Sequence, residues 1–276
     1  MHCNPNFRKG AFFVVISMLL FSACSRVTIN QLSDPDDNGG YASDASRIEL
    51  YNNDAISIAD AAGTTYVRDD IGNEGCVTVA VDTLSPQHVL IIRFGNCTCL
   101  DGRTRKGAIM VSYQGNYSDS GQVHTITFQD YFINGTQLTG SIKSIRVDTT
   151  ITGNWYYKIS VNDSLNMSLD PLQSQYVVWT GTLVRKWVAG YLTLPRTDDI
   201  FSISGTATLT RPNLHKFSFN ISTPLQFALN CDYAESGVVN VTGYNGPRIL
   251  NYGTGYCDPN IQLSIKSEVY NLLLTK

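Results

Sequence analysis

The chain has 276 residues, of which 43% are hydrophobic and 16% are charged, and its formal net charge is −3. This is enough apolar material to bury a sizeable core. A mildly acidic chain lacks the basic surface on which nucleic-acid binding depends, and it has no polybasic segment that would bind anionic lipid. We therefore expect no nucleic-acid partner.

The first 23 residues have the pattern of a secretion signal. Arg8 and Lys9 form a short positive region, and an apolar run follows from Ala11 to Phe21. The run is shorter than the roughly 20 apolar residues that cross a bilayer, but it fits the apolar core of a signal. We therefore predict a signal peptide over residues 1–23.

The signal ends in Phe21-Ser22-Ala23-Cys24. This segment resembles the lipobox of bacterial lipoproteins, in which small residues precede a cysteine that receives acyl chains such as palmitate. The resemblance predicts that Cys24 is the lipid-bearing N-terminus and that the membrane is a partner through this lipid. Ser25 follows Cys24, where many inner-membrane lipoproteins have Asp. We expect the outer membrane, on either its periplasmic or its surface side.

Residues 24–46 are rich in Gly, Asp and Ser and predict a flexible tether. The tether includes the opening of a calcium loop (Asp34, Asp36, Asn38, Gly39), but its twelfth position is Ala45 instead of a bidentate Glu. We expect no metal there. Residues 47–62 then carry apolar side chains at helical spacing, with Asp54 and Asp60 on other faces. This pattern predicts one short amphipathic helix that covers an end or an edge of a sheet.

From Cys76 onward, short alternating segments predict about a dozen strands joined by tight turns. Asn134-Gly135 is the strongest hairpin signal. Without crossover helices the strands must pair antiparallel. We predict an all-β domain over residues 47–276, with large antiparallel sheets arranged as a sandwich or a half-barrel-like meander and one short N-terminal helix.

Five cysteines follow Cys24 in the predicted mature chain. Cys76 and Cys97 enclose one predicted hairpin, and Cys231 and Cys257 enclose another with a similar aromatic-Gly turn. An exported domain meets an oxidising compartment, so we expect both pairs to form disulfides. Cys99 remains, and it could replace Cys97 as the partner of Cys76. The similarity of the two segments raises the hypothesis that a β unit is duplicated, over about 76–150 and 175–276.

The sequence contains no recognisable catalytic, metal or cofactor motif, and we expect none of these sites. Asp198-Asp199 is the best carboxylate pair, but glycoside hydrolysis needs two carboxylates placed across a sugar. Aromatic residues in the strands could form a sugar-stacking platform, although core packing is the commoner role for such residues. They are Tyr131, Trp155, Tyr156, Tyr157, Trp179 and Trp187.

The chain resembles a group of uncharacterised exported lipoproteins of the Bacteroidota type, from about residue 75 to its end. The motifs that carry this resemblance are Gly75-Cys76-x-Thr78-Val79-x-Val81-Asp82, Phe94-Gly95-x-Cys97, Asp101-Gly102-Arg103-Thr104-Arg105-Lys106-Gly107, Asn134-Gly135-x-x-x-x-Gly140, Asp198-Asp199-x-Phe201-x-Ile203-x-Gly205-Thr206, Pro224-Leu225 and Tyr252-Gly253-x-Gly255-x-Cys257-Asp258. The resemblance implies an exported β protein with paired cysteines, and it supplies no catalytic residues.

Three functions follow from the sequence as hypotheses. The first is a non-enzymatic, lipid-anchored outer-membrane protein with a structural or interaction role and a protein or glycan partner. The second is a binder of glycans or lipophilic ligands, and the third is an unfamiliar hydrolase. Burial of Trp155, Trp179 and Trp187, without a cleft that gathers ionisable groups, would weaken the second and third.

Overall fold

The structure is a computed structural model that describes residues 39–64, 76–82, 84, 86–147, 155–167, 175–190, 193 and 196–275. The predicted signal peptide and Cys24 lie outside the described residues, as does the tether up to residue 38. The described elements are helix α1 (Gly40–Gly63), strands β1 (Val77–Asp82), β2 (His88–Thr98), β3 (Thr104–Tyr113), β4 (Val123–Ile133), β5 (Thr136–Val147), β6 (Tyr156–Asn166), β7 (Tyr176–Ala189), β8 (Ile200–Thr210), β9 (Lys216–Ala228), β10 (Ser236–Gly243), β11 (Gly246–Thr254), β12 (Asn260–Ile265) and β13 (Glu268–Leu273), and a short 3₁₀ helix (Arg196–Asp198) before β8.

The strands form one antiparallel sheet in which each strand pairs with the next along the chain. This order makes a 13-stranded meander that is not closed, with β1 and β13 as its edges. The predicted all-β fold with antiparallel pairing is therefore confirmed, in its meander form. The segments considered as two β units are parts of this single sheet.

Local sequence explains the tight turn between β4 and β5. Asn134 and Gly135 have φ angles of 49° and 79°, the left-handed pair that a two-residue hairpin turn needs. Ile133 consequently pairs with Thr136, and the chain passes directly from β4 to β5.

An irregularity lies in β8, where the pairing with β9 shifts between Ile203 and Gly205. Gly205 has a φ of 125°. Only glycine adopts that backbone conformation readily.

Helix α1 differs from its prediction in both length and position. It has 24 residues and begins at Gly40, so residues 40–46 belong to the helix and not to a tether. It also lies against the inner face of the sheet and not at one edge. Its Tyr41 ring stacks on Phe217 of β9, and its Asp60 accepts a hydrogen bond from Tyr117 beyond β3. No helix among the described residues has the length and hydropathy needed to cross a membrane.

The inner face of the sheet carries buried arginines that meet acidic residues of α1. Arg105 Nη2 lies 2.8 Å from Asp54 Oδ1, and Arg103 Nη1 lies 3.2 Å from the same oxygen. Asp101 is 2.6 Å from Arg105 Nη2, and Asp232 is 2.9 Å from Arg103 Nη2. We call these five residues the Asp54 cluster. It connects the helix to the start of β3 and to the segment between β9 and β10.

Arg185 makes a second buried connection between the helix and the sheet. This β7 side chain has no exposed surface, and its Nε donates to Asn53 Oδ1 at 3.1 Å. Its Nη2 donates to the Ser57 hydroxyl, and its guanidinium packs 3.3 Å from the centre of the Phe201 ring. The helical pattern placed Asp54 and Asp60 away from the apolar stripe, but both carboxylates face arginines of the sheet.

We predict that Arg105→Met lowers the free energy of unfolding by about 3–5 kcal/mol, because it leaves the buried Asp54 carboxylate with one fewer partner. Urea denaturation followed by circular dichroism measures the effect. The matched control is Arg93→Met, at an exposed position of β2. Equal stabilities for the two variants would show that the Asp54 cluster does not hold the helix.

Candidate functional site

The first predicted cysteine pair lies at disulfide distance. Cys76, just before β1, and Cys97, in β2, have Cα atoms 5.8 Å apart. Cys99 is a buried free thiol whose Sγ lies 4.0 Å from Cys76 Sγ. Burial raises the pKa of the Cys99 thiol, although the nearby Arg105 opposes this shift. The three sulfurs all lie within 4.8 Å of one another, so they could hold a soft metal ion only with the disulfide reduced.

The second pair joins the segment between β11 and β12, residues 255–259, to the segment between β9 and β10. Cys257 is at disulfide distance from the buried Cys231, with a Cα separation of 5.7 Å. The backbone N–H of Gly255 also donates to the carbonyl of Glu235 at 2.8 Å. These two attachments hold the β11–β12 segment against the chain that enters β10.

A polar groove lies on the outer face of the sheet beside this segment. Asn251 of β11 pairs with Gln262 of β12, and Gln262 pairs with Asn271 of β13, so three exposed amides occupy neighbouring strands. The groove has a volume of about 540 Å³, which lies within the range of small-ligand sites. We call it the amide groove, and its characteristic residues are Asn251, Tyr256, Asp258, Asn260, Gln262 and Asn271.

Hydrogen bonds fix several groups of the amide groove. Asn251 Oδ1 accepts from the N–H of Gly253 at 2.9 Å, which leaves the two N–H donors of its amide for other partners. Asp258 accepts from the N–H of Asn260 at 2.7 Å. Tyr256 is 74% exposed, although large aromatic side chains are usually buried. The groove therefore combines ordered hydrogen-bonding groups with one exposed aromatic ring.

Two acidic residues meet in the interior of the domain. Glu49 of α1 is buried, and burial raises its pKa to about 7. Asp163 of β6 is 2% exposed, and burial together with the nearby Glu49 raises its pKa well above the usual range. A cavity beside Glu49 and Trp179 has a volume of about 20 Å³, enough for one water molecule. Both acids are buried in the core of the part of the chain that the structure describes.

The carboxylate pair chosen from the sequence does not act as a pair. Asp198 is exposed and accepts a hydrogen bond from the Thr193 hydroxyl at 2.8 Å, whereas Asp199 is buried. The histidines are likewise dispersed between the core and the surface. His124 is buried and stacks on Tyr117, and burial lowers its pKa.

The aromatic residues that were considered as a sugar-stacking platform mainly pack in the core, which was the favoured role. Trp179 is 4% exposed and meets Phe219 edge to face. Trp187 is half-buried between Trp155 and Phe201, and only Trp155 reaches an exposure of 36%. The platform residues Tyr131 and Tyr157 are also buried. Tyr244 and Tyr256, which the sequence reasoning did not select, are the more exposed aromatic residues.

Asp163 and the inner arginines were not among the residues selected from the sequence, although the alternation of the strands indicates Asp163. Asp163 alternates with Ile159, Val161 and Leu165, so it stands in a row that is otherwise apolar and faces inward. An ionisable residue in such a row indicates a buried partner on another element.

Searches against protein-family models, curated proteins and solved structures found no match to this chain.

We predict that the free energy of unfolding falls as the pH rises from about 4.5 to about 7, because folded Glu49 keeps a proton that the unfolded chain releases. The Glu49 contribution is on the order of 3 kcal/mol. Glu49→Gln should reduce this dependence of stability on pH, as measured by urea denaturation at several pH values.

The other charged groups near Glu49, Asp163 and Arg185, remain in the variant. An exposed control, Asp119→Asn, should keep the slope. A slope unchanged in Glu49→Gln would contradict the prediction.

We also predict that Cys97→Ser forms a disulfide between Cys76 and Cys99, because those two sulfurs are already 4.0 Å apart. Peptide mapping by mass spectrometry without reduction identifies the bond, and Cys97→Ser combined with Cys99→Ser is the control. Recovery of Cys76 and Cys99 as free thiols after oxidative folding would refute the prediction.

Proposed function

We propose that this protein is a lipid-anchored interaction protein of the bacterial outer membrane whose β domain acts through its outer surface. The anchor is predicted by the signal and by Cys24. The observation that favours action through the outer surface is the position of α1, which occupies the inner side of the sheet and is held there by the Asp54 cluster.

The packing beside α1 argues against a carrier of lipophilic compounds. The two cavities described beside the helix each have a volume of about 20 Å³, one near Glu49 and one near Arg47. Small-ligand sites usually measure about 300–1,000 Å³. An acyl chain or a sterol could enter these regions only if the helix left the sheet and exposed the charges of Asp54, Arg103 and Arg105 to an apolar ligand. Replacing the helix beside these charges by an apolar ligand would be strongly unfavourable.

The outer face of the sheet is suited to contacts with polar partners. It carries small hydroxyl and amide side chains at aligned positions on neighbouring strands, including Ser160, Thr182, Thr206 and Asn220. Their alternation with inward-facing apolar residues keeps them on the solvent side. A nonenzymatic role accords with this surface, because the buried acids Glu49 and Asp163 lie on the opposite side of the sheet.

We predict that Cys24→Ala moves the protein from the membrane fraction to the soluble fraction, because the variant lacks the acyl chains whose buried CH₂ groups each contribute about 0.8 kcal/mol to membrane binding. Cell fractionation and immunoblotting measure the distribution. Cys3→Ala is the matched control, since it removes a cysteine upstream of the lipobox. A variant that still sediments with membranes as the native protein does would overturn the anchoring proposal.

The same Cys24→Ala protein, purified without detergent, separates an interaction protein from a lipid carrier. Organic extraction followed by mass spectrometry should find no apolar compound in stoichiometric amount, because the described interior is filled by α1. A stoichiometric fatty acid or other lipid in the extract would replace the proposed function with a carrier function.

A further inference from the structure

We infer that the amide groove is a binding site for a neutral carbohydrate chain. This inference rests on the proposed function, because it assigns a ligand class to the outer surface of the anchored domain. The groove brings together four amides, one exposed tyrosine and one carboxylate within about 540 Å³. Hydroxyl-rich ligands match such a set of paired donors and acceptors.

The register of the strands determines how the amides are presented. Asn251, Gln262 and Asn271 occupy directly paired positions, so neighbouring amides are separated by about 5 Å, the distance between strands. Each amide offers one acceptor oxygen and two N–H donors. Adjacent hydroxyls of a sugar ring can each donate and accept, and successive amides can therefore bind successive parts of a glycan.

Tyr256 adds the apolar contact that a sugar ring needs. Its side chain is 74% exposed on a segment that Cys257 and Gly255 attach to the rest of the domain. An aromatic ring presents an apolar face and a polar hydroxyl, so it can pack on the C–H groups of a sugar while staying in water. Because the segment is already attached, little conformational entropy is lost when a ligand binds.

The charge of the groove selects against anionic ligands. Asp258 is the single formally charged residue among those that line it, and no lysine or arginine is present in that lining. Phosphate and carboxylate groups are normally recognised by arginine or lysine. A uronic acid or a phosphorylated sugar would meet the Asp258 carboxylate without a compensating cation, which leaves neutral sugars as the favoured class.

The experiment uses the full-length protein purified in detergent and affinity gel electrophoresis with polysaccharides embedded in the gel. The probes are dextran, galactomannan and xyloglucan as neutral chains, and polygalacturonate as an anionic chain. We expect at least one neutral polysaccharide to retard the protein and polygalacturonate to leave it unretarded. Gln262→Ala and Tyr256→Ala should each weaken the retardation about tenfold, which corresponds to the loss of one good polar or stacking contact.

Asn240→Ala is the matched control, because it removes an exposed amide from β10 on the same face but outside the amide groove. It should bind as the native protein does, and thermal unfolding verifies that all three variants are folded. Absence of retardation by all three neutral probes would overturn the inference. Unchanged binding in Gln262→Ala, or preferential binding to polygalacturonate, would also overturn it. Because the assay does not require a membrane, its failure is distinct from failure of the anchoring experiment.

Discussion

The contact between Asp54 and the two arginines Arg103 and Arg105 is the constraint on which the rest of the structure depends. Asp54 alone cannot balance two arginines, and Asp101 and Asp232 supply the remaining negative charge. Buried charges need such partners, so the helix must stay where Asp54 meets both arginines. Asp232 extends the contact to the segment that follows β9. These ion pairs therefore fix the position of α1 relative to β3 and to the segment between β9 and β10.

The same arrangement separates the chemistry of the two faces. Inside, the titratable groups Glu49 and Asp163 are surrounded by the helix and sheet, where burial opposes their ionisation. Outside, the amides of the groove remain neutral and solvated whatever the pH. Acidic residues in the interior therefore influence stability, whereas the four amides proposed to bind the ligand do not titrate. The proposed binding should consequently vary less with pH than the stability of the domain.

Much of the fold could be predicted from sequence because it follows local rules. Alternating residues predicted the strands, Asn134-Gly135 predicted a hairpin, and the cysteine pattern matched pairs that the structure places at disulfide distance. The role of α1 could not be predicted, since helical spacing shows which residues are apolar but not that Asp54 would meet Arg105 in β3. The amide groove was missed for a related reason. Each amide faces outward by alternation, but the row depends on the register of three strands.

The position of α1 at the start of the domain also has a mechanical meaning. If the chain is attached to a membrane through its N-terminus, any pull on the domain enters at Gly40, the first residue of the helix. The helix cannot slide out without separating its carboxylates from Arg103, Arg105 and Arg185. Those contacts lie at several points along the helix and would share the load. Helix α1 would thus also transmit a force applied at the N-terminus to several strands of the sheet.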